Sequence, residues 1–271
     1  MSTFTTHSQT MHYLDKGEGP VLVFGHSFLW DSQMWAPQIE VLSQHYRCIV
    51  PDFWSHGQSD ATPTTTNNLT DYANDILALM DYLNVEQFSI IGLSVGGMWA
   101  TELTVLAPQR VKSLVLMDTF VGLEPEIMHS KYFAMLDILE QQQHAPESLI
   151  QQIIPMFFSK NVTQDNPQLI TQCRQNLEMI NGEQAKDIAK IGRMVFGRRD
   201  AFDDLEKFAL PALIMVGMQD YPRPPLESQL MHDALSGSEL LVIPDAGHIA
   251  NLEQPQRVTK KLVSFLNQVY S

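Results

Sequence analysis

An apolar run that ends in a glycine-flanked serine constrains this chain more than any other feature. Residues 88–91 have the composition of a buried strand, and Gly-Leu-Ser-Val-Gly follows them at positions 92–96. Helix-forming residues then extend over residues 98–106. A strand, a sharp bend and a helix in this order are typical of a nucleophile elbow, in which a strained backbone exposes the hydroxyl of Ser94. The alternative interpretation is a glycine-rich turn that only packs a strand against a helix.

Further apolar runs alternate with helix-like segments along the chain. The runs have the continuous hydrophobic character of strands covered on both faces, and they lie at residues 21–24, 46–51, 111–117, 212–217 and 239–244. Helical spacing is found at residues 32–43, 70–83 and 227–235 and in a closing helix that starts near Pro255. Residues 3–8 and 11–15 predict a short antiparallel opening. The alternation predicts an α/β fold, with a mostly parallel sheet and helices on both faces.

The alternation of strand-like and helix-like segments is interrupted between residues 122 and 204. This stretch has no strand-like run and predicts four helices, at residues 132–139, 149–158, 169–180 and 185–196, with breaks near Pro146, Pro155, Pro167 and Gly182. Strand–helix alternation resumes after it. We therefore expect residues 1–121 and 205–271 to form one core domain and residues 122–204 to be inserted as a helical cap.

A serine hydroxyl attacks a carbonyl only with a base in reach and a group that orients the base. In parallel sheets such residues gather at the carboxyl ends of strands. His248 follows the last predicted strand and Asp220 follows the strand before it, which gives the order Ser94, Asp220, His248. Asp118, at the end of an earlier strand, is the competing acid, and its other interpretation is a carboxylate that orients a loop. For His248 the alternative is an ordinary surface-loop histidine.

Two backbone N–H groups are the predicted donors to the oxyanion of a tetrahedral intermediate. Val95 directly follows Ser94, and Phe28 lies in the loop after the first buried strand. His26 and His56 lie in nearby loops and are interpreted as structural residues that bond loop carbonyls, rather than as second bases.

Composition disfavours several other classes of function. Seventeen Lys and Arg against 31 Asp and Glu give a net charge of −14, which argues against nucleic acids and anionic membrane surfaces as partners. We find no apolar run long enough to span a bilayer and no secretory signal pattern. Cys48 and Cys173 are expected to be reduced thiols in a cytoplasmic protein. Zinc spacings, dinucleotide loops and phosphate loops are absent, so we expect neither a metal nor a cofactor.

Three segments carry a resemblance to α/β-hydrolases that covers essentially the whole chain. They are Met-Trp-Ala-Pro-Gln at 34–38, the elbow at 92–98, and Ala-Gly-His-Ile-Ala-Asn-Leu-Glu-Gln-Pro at 246–255. They resemble the branch of 3-oxoadipate enol-lactonases and related lactonases and esterases, often grouped with cofactor-free haloperoxidases. His26-Ser27 and Ser55 depart from the usual patterns of that branch. The resemblance implies attack of Ser94 on an ester or lactone carbonyl, an acyl-enzyme, and hydrolysis by water that His248 activates.

Bulky apolar residues in the cap and near the serine predict an apolar substrate pocket. The residues expected to line it are Trp30, Trp54, Phe133, Met156, Phe157 and Met194. We therefore predict a serine hydrolase whose partner is a small, partly apolar ester or lactone, a class that includes acyl-homoserine lactones and enol-lactones. Two alternatives stay open, a haloperoxidase-like enzyme that forms peracids with the same triad and a ligand receptor built on this fold. The sequence leaves the oligomeric state open.

Overall fold

The computed structural model describes residues 1–271, and a single eight-stranded sheet organises it. The strands are β1 Ser2–Thr6, β2 Gln9–Lys16, β3 Val21–Gly25, β4 Arg47–Pro51, β5 Phe88–Leu93, β6 Val111–Met117, β7 Ala212–Gly217 and β8 Glu239–Ile243. Their order across the sheet is β1-β2-β4-β3-β5-β6-β7-β8. The pairs β1–β2 and β2–β4 are antiparallel, and the other five pairs are parallel. The predicted antiparallel opening and mostly parallel sheet are confirmed.

Helices connect the parallel strands and cover the sheet. They are α1 Ala36–Leu42, α2 Leu69–Tyr82, α3 Val95–Leu106, α4 Glu126–Gln142, α5 Glu147–Phe157, α6 Val162–Asp165, α7 Pro167–Met179, α8 Gly182–Phe196, α9 Pro225–Ala234, α10 Ala250–Glu253 and α11 Pro255–Val269. Every residue of β5 and β7 is buried, which requires cover on both faces because side chains alternate between the faces of a strand. None of the helices combines the length and hydrophobicity that a bilayer crossing requires.

Local chemistry explains where several helices begin. The side chain of Asn68 accepts the Asp71 N–H at 2.9 Å and caps α2. The predicted helix over residues 32–43 is divided into a 3₁₀ turn, Ser32–Trp35, and α1. Pro37 has no N–H group, which the first turn of a helix does not need, so it is favourable near the start of α1.

The segment between β6 and β7 contains five helices, α4 to α8, where the sequence predicts four. The four-residue helix α6 was missed because so short a segment shows no periodicity. The predicted break near Pro155 is wrong, since this residue lies inside α5, in its last turn. There the missing N–H costs one hydrogen bond, and α5 ends two residues later.

The helical segment α4 to α8 is bound to three loops, which follow the carboxyl ends of β4, β7 and β8. Asp187 on α8 accepts hydrogen bonds from Ser55 and Thr62, which follow β4. The N–H of Lys160 donates to Gln219 after β7 at 3.1 Å. Other contacts reach the loop after β8 and are described below. The segment therefore lies over the carboxyl edge of the sheet, where functional sites of parallel sheets are found.

Candidate active site

Ser94 lies at the bend between β5 and α3, in a conformation that residues with a side chain rarely adopt. Its φ is 57° and its ψ is −119°. The surrounding glycines have no room for side chains, since a Cβ on Gly96 would lie 2.8 Å from the Cα of Gly25. A Cβ on Gly92 would lie 2.5 Å from the nitrogen of Gly97. Close packing of strand and helix therefore maintains the strained bend and places the hydroxyl at the N-terminus of α3.

Side chains from the ends of three strands form one hydrogen-bonded chain. The Oγ of Ser94 lies 2.9 Å from Nε2 of His248. On the opposite side of the ring, Nδ1 lies 3.1 Å from Oδ1 and 3.0 Å from Oδ2 of Asp220. All three side chains belong to buried residues, with exposed fractions of 8% for Ser94, 4% for Asp220 and 3% for His248. The structure thus brings together the three residues that the sequence singles out.

The hydrogen bonds around Asp220 determine which nitrogen of His248 carries the proton. The carboxylate only accepts, so Nδ1 of His248 donates to it. In the neutral ring, Nε2 is then the unprotonated nitrogen and accepts from the hydroxyl of Ser94. The backbone N–H of Arg223 also donates to Oδ1 of Asp220, at 2.9 Å, and fixes the carboxylate from a second direction. This is the arrangement that proton removal from a serine requires.

The competing acid, Asp118, lies beside Asp220 and makes no hydrogen bond with His248. Its Oδ1 accepts the N–H of Gly217 at 2.7 Å, and its Oδ2 is buried without a hydrogen-bond partner. Burial, followed by the charge of Asp220, raises the pKa of Asp118 well above its usual range. Asp118 therefore lacks the direct bond to the imidazole that Asp220 makes.

The two predicted oxyanion donors have N–H groups that are free within the protein. Val95 is the first residue of α3, where N–H groups have no acceptor inside the helix. The N–H of Phe28 makes no hydrogen bond with another protein group. The chain turns sharply at the next residue, Leu29, whose φ is 66° and whose N–H donates to His56 at 3.1 Å. Phe28 and Ser94 line the same cavity.

His26 and His56 hold the loops beneath this site, as the sequence indicates. His26 bonds the carbonyl of Ser27 and the N–H of Phe53, each at 2.8 Å. His56 bonds the carbonyl of Trp54 at 2.8 Å. Burial, and to a smaller extent the neighbouring His26, lowers the pKa of His56 to about 3. Both rings are occupied by backbone groups, and neither bonds Ser94.

The loop that carries His248 is fastened to the helical segment by Glu253, a residue to which the sequence assigned no role. Its carboxylate accepts the N–H of Gly247 at 2.7 Å and the N–H of Ser159 at 3.0 Å. The ring of Phe157 stacks against the ring of His248 with centroids 6.0 Å apart. Glu253 lies in the segment that carries the family resemblance, but its partner at Ser159 is distant in the sequence.

An apolar cavity opens at Ser94 and extends among the helices α4, α5, α7 and α8. Sixteen of its 21 lining residues are hydrophobic. Two of the six residues predicted to line the pocket, Met156 and Phe157, do so, together with Phe28. The polar residues in its wall are few and include Ser94 and His248. The cavity therefore suits an apolar group attached to a carbonyl at Ser94.

The other four predicted pocket residues lie elsewhere. Trp54 is buried in the core and donates to Asp75 at 2.9 Å. Trp30 packs edge-on against Phe157 and lines a separate groove. Phe133 lies on α4 and Met194 on α8, but neither lines the cavity. Their sequence neighbours Tyr132 and Val195 do. Since one residue turns a helix by about 100°, an error of one position changes which face a side chain occupies.

A buried ion cluster flanks the cavity and was not predicted. Glu124 accepts from Arg198 at 2.9 Å and from Arg223, whose Nη1 also lies 3.5 Å from Glu227. Burial raises the pKa of Glu227 to about 7. Because these residues come from distant parts of the chain, no local pattern reveals the cluster. It anchors the loop that carries Asp220, since Arg223 belongs to that loop.

Comparisons with known proteins support the α/β-hydrolase fold. A family model described as the alpha/beta hydrolase fold matches residues 20–255. Among curated proteins, 3-oxoadipate enol-lactonase 1 of Acinetobacter baylyi is 26% identical over 250 residues, which cover 92% of this chain and 90% of the relative.

Solved structures of esterases and lactonases resemble this one over nearly its full length. A thermophilic esterase from Thermogutta terrifontis has a TM-score of 0.90 and 27% identity, and the match covers 99% of this chain and 97% of the esterase. Est816, described as an N-acyl homoserine lactone degrading enzyme, has a TM-score of 0.84 and 26% identity. That match covers 97% of this chain and 100% of Est816.

Proposed function

Since the chain belongs to the α/β-hydrolase fold family, we propose that it is a serine hydrolase that cleaves carboxylic esters or lactones through an acyl-enzyme. The observation that carries the proposal is the hydrogen-bonded chain from Ser94 through His248 to Asp220 at the nucleophile elbow. Relatives named as an enol-lactonase and an esterase support hydrolysis at the level of the family. The substrate is a small ester or lactone with an apolar portion.

In the first half of the reaction, Nε2 of His248 takes the proton of Ser94 as Oγ attacks the substrate carbonyl. Asp220 stabilises the resulting imidazolium through Nδ1. The carbonyl oxygen becomes an oxyanion and receives hydrogen bonds from the N–H groups of Phe28 and Val95. The intermediate then collapses, and His248 gives its proton to the leaving alkoxide, which departs as an alcohol.

In the second half, water replaces the alcohol. His248 removes a proton from that water, and the hydroxide attacks the acyl carbon bound to Ser94. Collapse of the second intermediate breaks the bond to Oγ, which takes back the proton from His248. The carboxylic acid leaves, and the enzyme returns to its starting state. When the substrate is a lactone, the leaving alcohol stays attached to the acyl group, so the product is a single hydroxy acid.

The proposal assigns the acid role to Asp220 rather than to Asp118. Asp220 is bonded to the base through both oxygens, whereas Asp118 bonds Gly217 and has a raised pKa. We also propose that residues 122–204 act as a cap on a core formed by residues 1–121 and 205–271. The cap supplies most of the apolar wall, and its Phe157 stacks against the ring of His248.

Hydrolysis of p-nitrophenyl butyrate by the wild type and by Ser94→Ala tests the proposal. The variant is expected to lose about 10⁴-fold or more in kcat/KM with an unchanged melting temperature. Ser228→Ala is the matched control, because Ser228 is also buried and its hydroxyl has no partner. Turnover by Ser94→Ala at the wild-type rate would contradict the proposal. Hydrogen-peroxide-dependent bromination, measured in parallel, identifies a peracid-forming enzyme.

A further inference from the structure

The cavity at Ser94 has one polar end and one entirely aliphatic end. The wall residues with a hydroxyl, imidazole or guanidinium group belong to the polar side, and they are Ser27, Ser94, Tyr132, Arg223 and His248. The opposite end is formed by aliphatic side chains that lie on three helices and two loops, namely Leu139, Ala145, Leu149, Leu177 and Ile180. A substrate group that reaches this end meets only carbon.

Helix α4 gives a measure of the length of the cavity. Tyr132 lies near the reactive end, since its ring stacks on Phe196 at 4.2 Å and Phe196 contacts Phe28 at 5.8 Å. Leu139, on the same wall, lies about two helical turns farther on, which is about 10 Å along the axis. The cavity therefore follows α4 away from Ser94 for about that distance.

Helix α5 gives the same length independently, because it runs in the opposite direction. Its last residue, Phe157, stacks on the ring of His248. Leu149, on the same wall, lies about two turns earlier, or about 12 Å along the axis. Two helices thus place the aliphatic end about 10–12 Å from the reactive end.

The aliphatic end is closed by paired backbone. The loop that contains Ala145 bonds the loop after α7 through a bridge between His144 and Asn181 and through the N–H of Gly182, which donates to Gln143 at 2.8 Å. The cavity that ends here has a volume of about 90 Å³.

We infer that this cavity holds an unbranched aliphatic chain of about eight carbons, attached to the ester or lactone group and ending against Ala145. An extended chain advances about 1.25 Å per carbon, so about eight carbons span about 10 Å, the shorter of the two lengths derived from the helices. The inference rests on the proposed function and names its substrate class.

A carboxylate at the far end of the chain does not fit this cavity. The aliphatic end offers no hydrogen-bond donor or charge, and a buried carboxylate without a partner is strongly disfavoured. The cation in the wall, Arg223, is already paired with Glu124 and lies near Glu227. The site therefore prefers a plain aliphatic chain to a chain that ends in an acid.

Straight-chain p-nitrophenyl esters from two to twelve carbons test the inference in the wild type. We expect kcat/KM to rise about two- to fourfold per added methylene up to about eight carbons, and then to fall. The corresponding ester of an eight-carbon diacid is expected to react at least tenfold more slowly than the octanoate. Alkyl acetates of the same lengths tell whether the chain belongs to the acyl or the alcohol part, and a rise of kcat/KM to an optimum near eight carbons in either series supports the inference.

Two variants test where the chain ends. Ala145→Leu fills the aliphatic end and is expected to lower the ratio of kcat/KM for octanoate over butyrate at least tenfold. Leu139→Ala is expected to move the optimum to longer chains. Ile138→Ala is the matched control, since Ile138 lies on the same helix and is 38% exposed.

Length series of the wild type that stay flat or fall from the shortest ester, in both the acyl and the alcohol part, would overturn the inference. An octanoate-to-butyrate ratio unchanged in both Ala145→Leu and Leu139→Ala would also overturn it. If Ala145→Leu fails to fold, the wild-type length series and the Leu139→Ala variant still test whether the chain ends in the aliphatic part of the cavity. Butyrate turnover that depends on Ser94 would leave the proposed function intact in every one of these cases.

Discussion

Replacing each of two neighbouring carboxylates with its amide tests the assignment of the acid in depth. Asp220→Asn changes the partner of His248, whereas Asp118→Asn changes a carboxyl group that bonds only Gly217. Both substitutions preserve size, and both residues are buried at the ends of adjacent parallel strands. The pair therefore separates the effect of charge beside His248 from the effect of altering this part of the core.

The expected magnitude for Asp220→Asn follows from the bonds to Nδ1. An amide group that donates to Nδ1 leaves the ring proton on Nε2, which then cannot accept the proton of Ser94. In serine proteases this tautomer error costs about 10⁴-fold in rate, or about 5 kcal/mol in the activation free energy. We expect a loss of that order here.

Asp118→Asn is expected to cost less than about tenfold. Burial and the charge of Asp220 raise the pKa of Asp118, which favours the uncharged carboxyl group, and an amide is uncharged and of similar size. The amide oxygen can still accept the N–H of Gly217. Values of kcat/KM with p-nitrophenyl butyrate, together with melting temperatures, measure both variants. A larger loss in Asp118→Asn than in Asp220→Asn would assign the acid to Asp118 and refute the reasoning.

Three further predictions concern stability and cofactors. Gly96→Ala is expected to lower the free energy of unfolding by about 3 kcal/mol or more, because the new Cβ would meet the backbone of Gly25. Gly237→Ala is expected to lower it by about 1 kcal/mol, because the new Cβ meets no other atom and only the backbone φ of 77° is strained. Urea unfolding measures both, and equal losses would contradict the packing argument. Burial raises the folded pKa of Glu227 to about 7 from an ordinary 4.5, so the folded state binds more protons between these values and its stability falls as pH rises through them. In Glu227→Gln the free energy of unfolding is expected to fall by about 3 kcal/mol less than in the wild type over this pH range. The same pH dependence of the free energy of unfolding in both proteins between pH 4.5 and 7.5 would contradict this prediction. Dialysis against EDTA is expected to leave ester turnover unchanged, since the proposed mechanism uses only protein groups, and a strong loss restored by a metal would contradict the mechanism.

The sheet was predictable from the sequence because its signals are local. A strand buried on both faces is a continuous apolar run, and the elbow at Ser94 requires glycines at fixed neighbouring positions. The order of strands then brings their carboxyl ends to one edge. For this reason the positions of Asp220 and His248, each just after a strand, predicted side chains that the structure places within hydrogen-bonding distance.

The wall of the cavity was harder to predict because it depends on how separate helices pack. Tyr132 lines the cavity and its neighbour Phe133 does not, although both are aromatic. The ion cluster around Glu124 and the bond from Glu253 to Ser159 join distant parts of the chain. Such contacts follow from tertiary packing, and a single sequence carries no local signal for them.

The most direct measurement is the covalent labelling of Ser94 by a fluorophosphonate, followed by intact mass and peptide mapping. The account predicts one phosphonyl group per chain on Ser94, no label in Ser94→Ala, and labelling at least about 10³-fold slower in His248→Ala. Label on another residue, or an equal rate in His248→Ala, would contradict it.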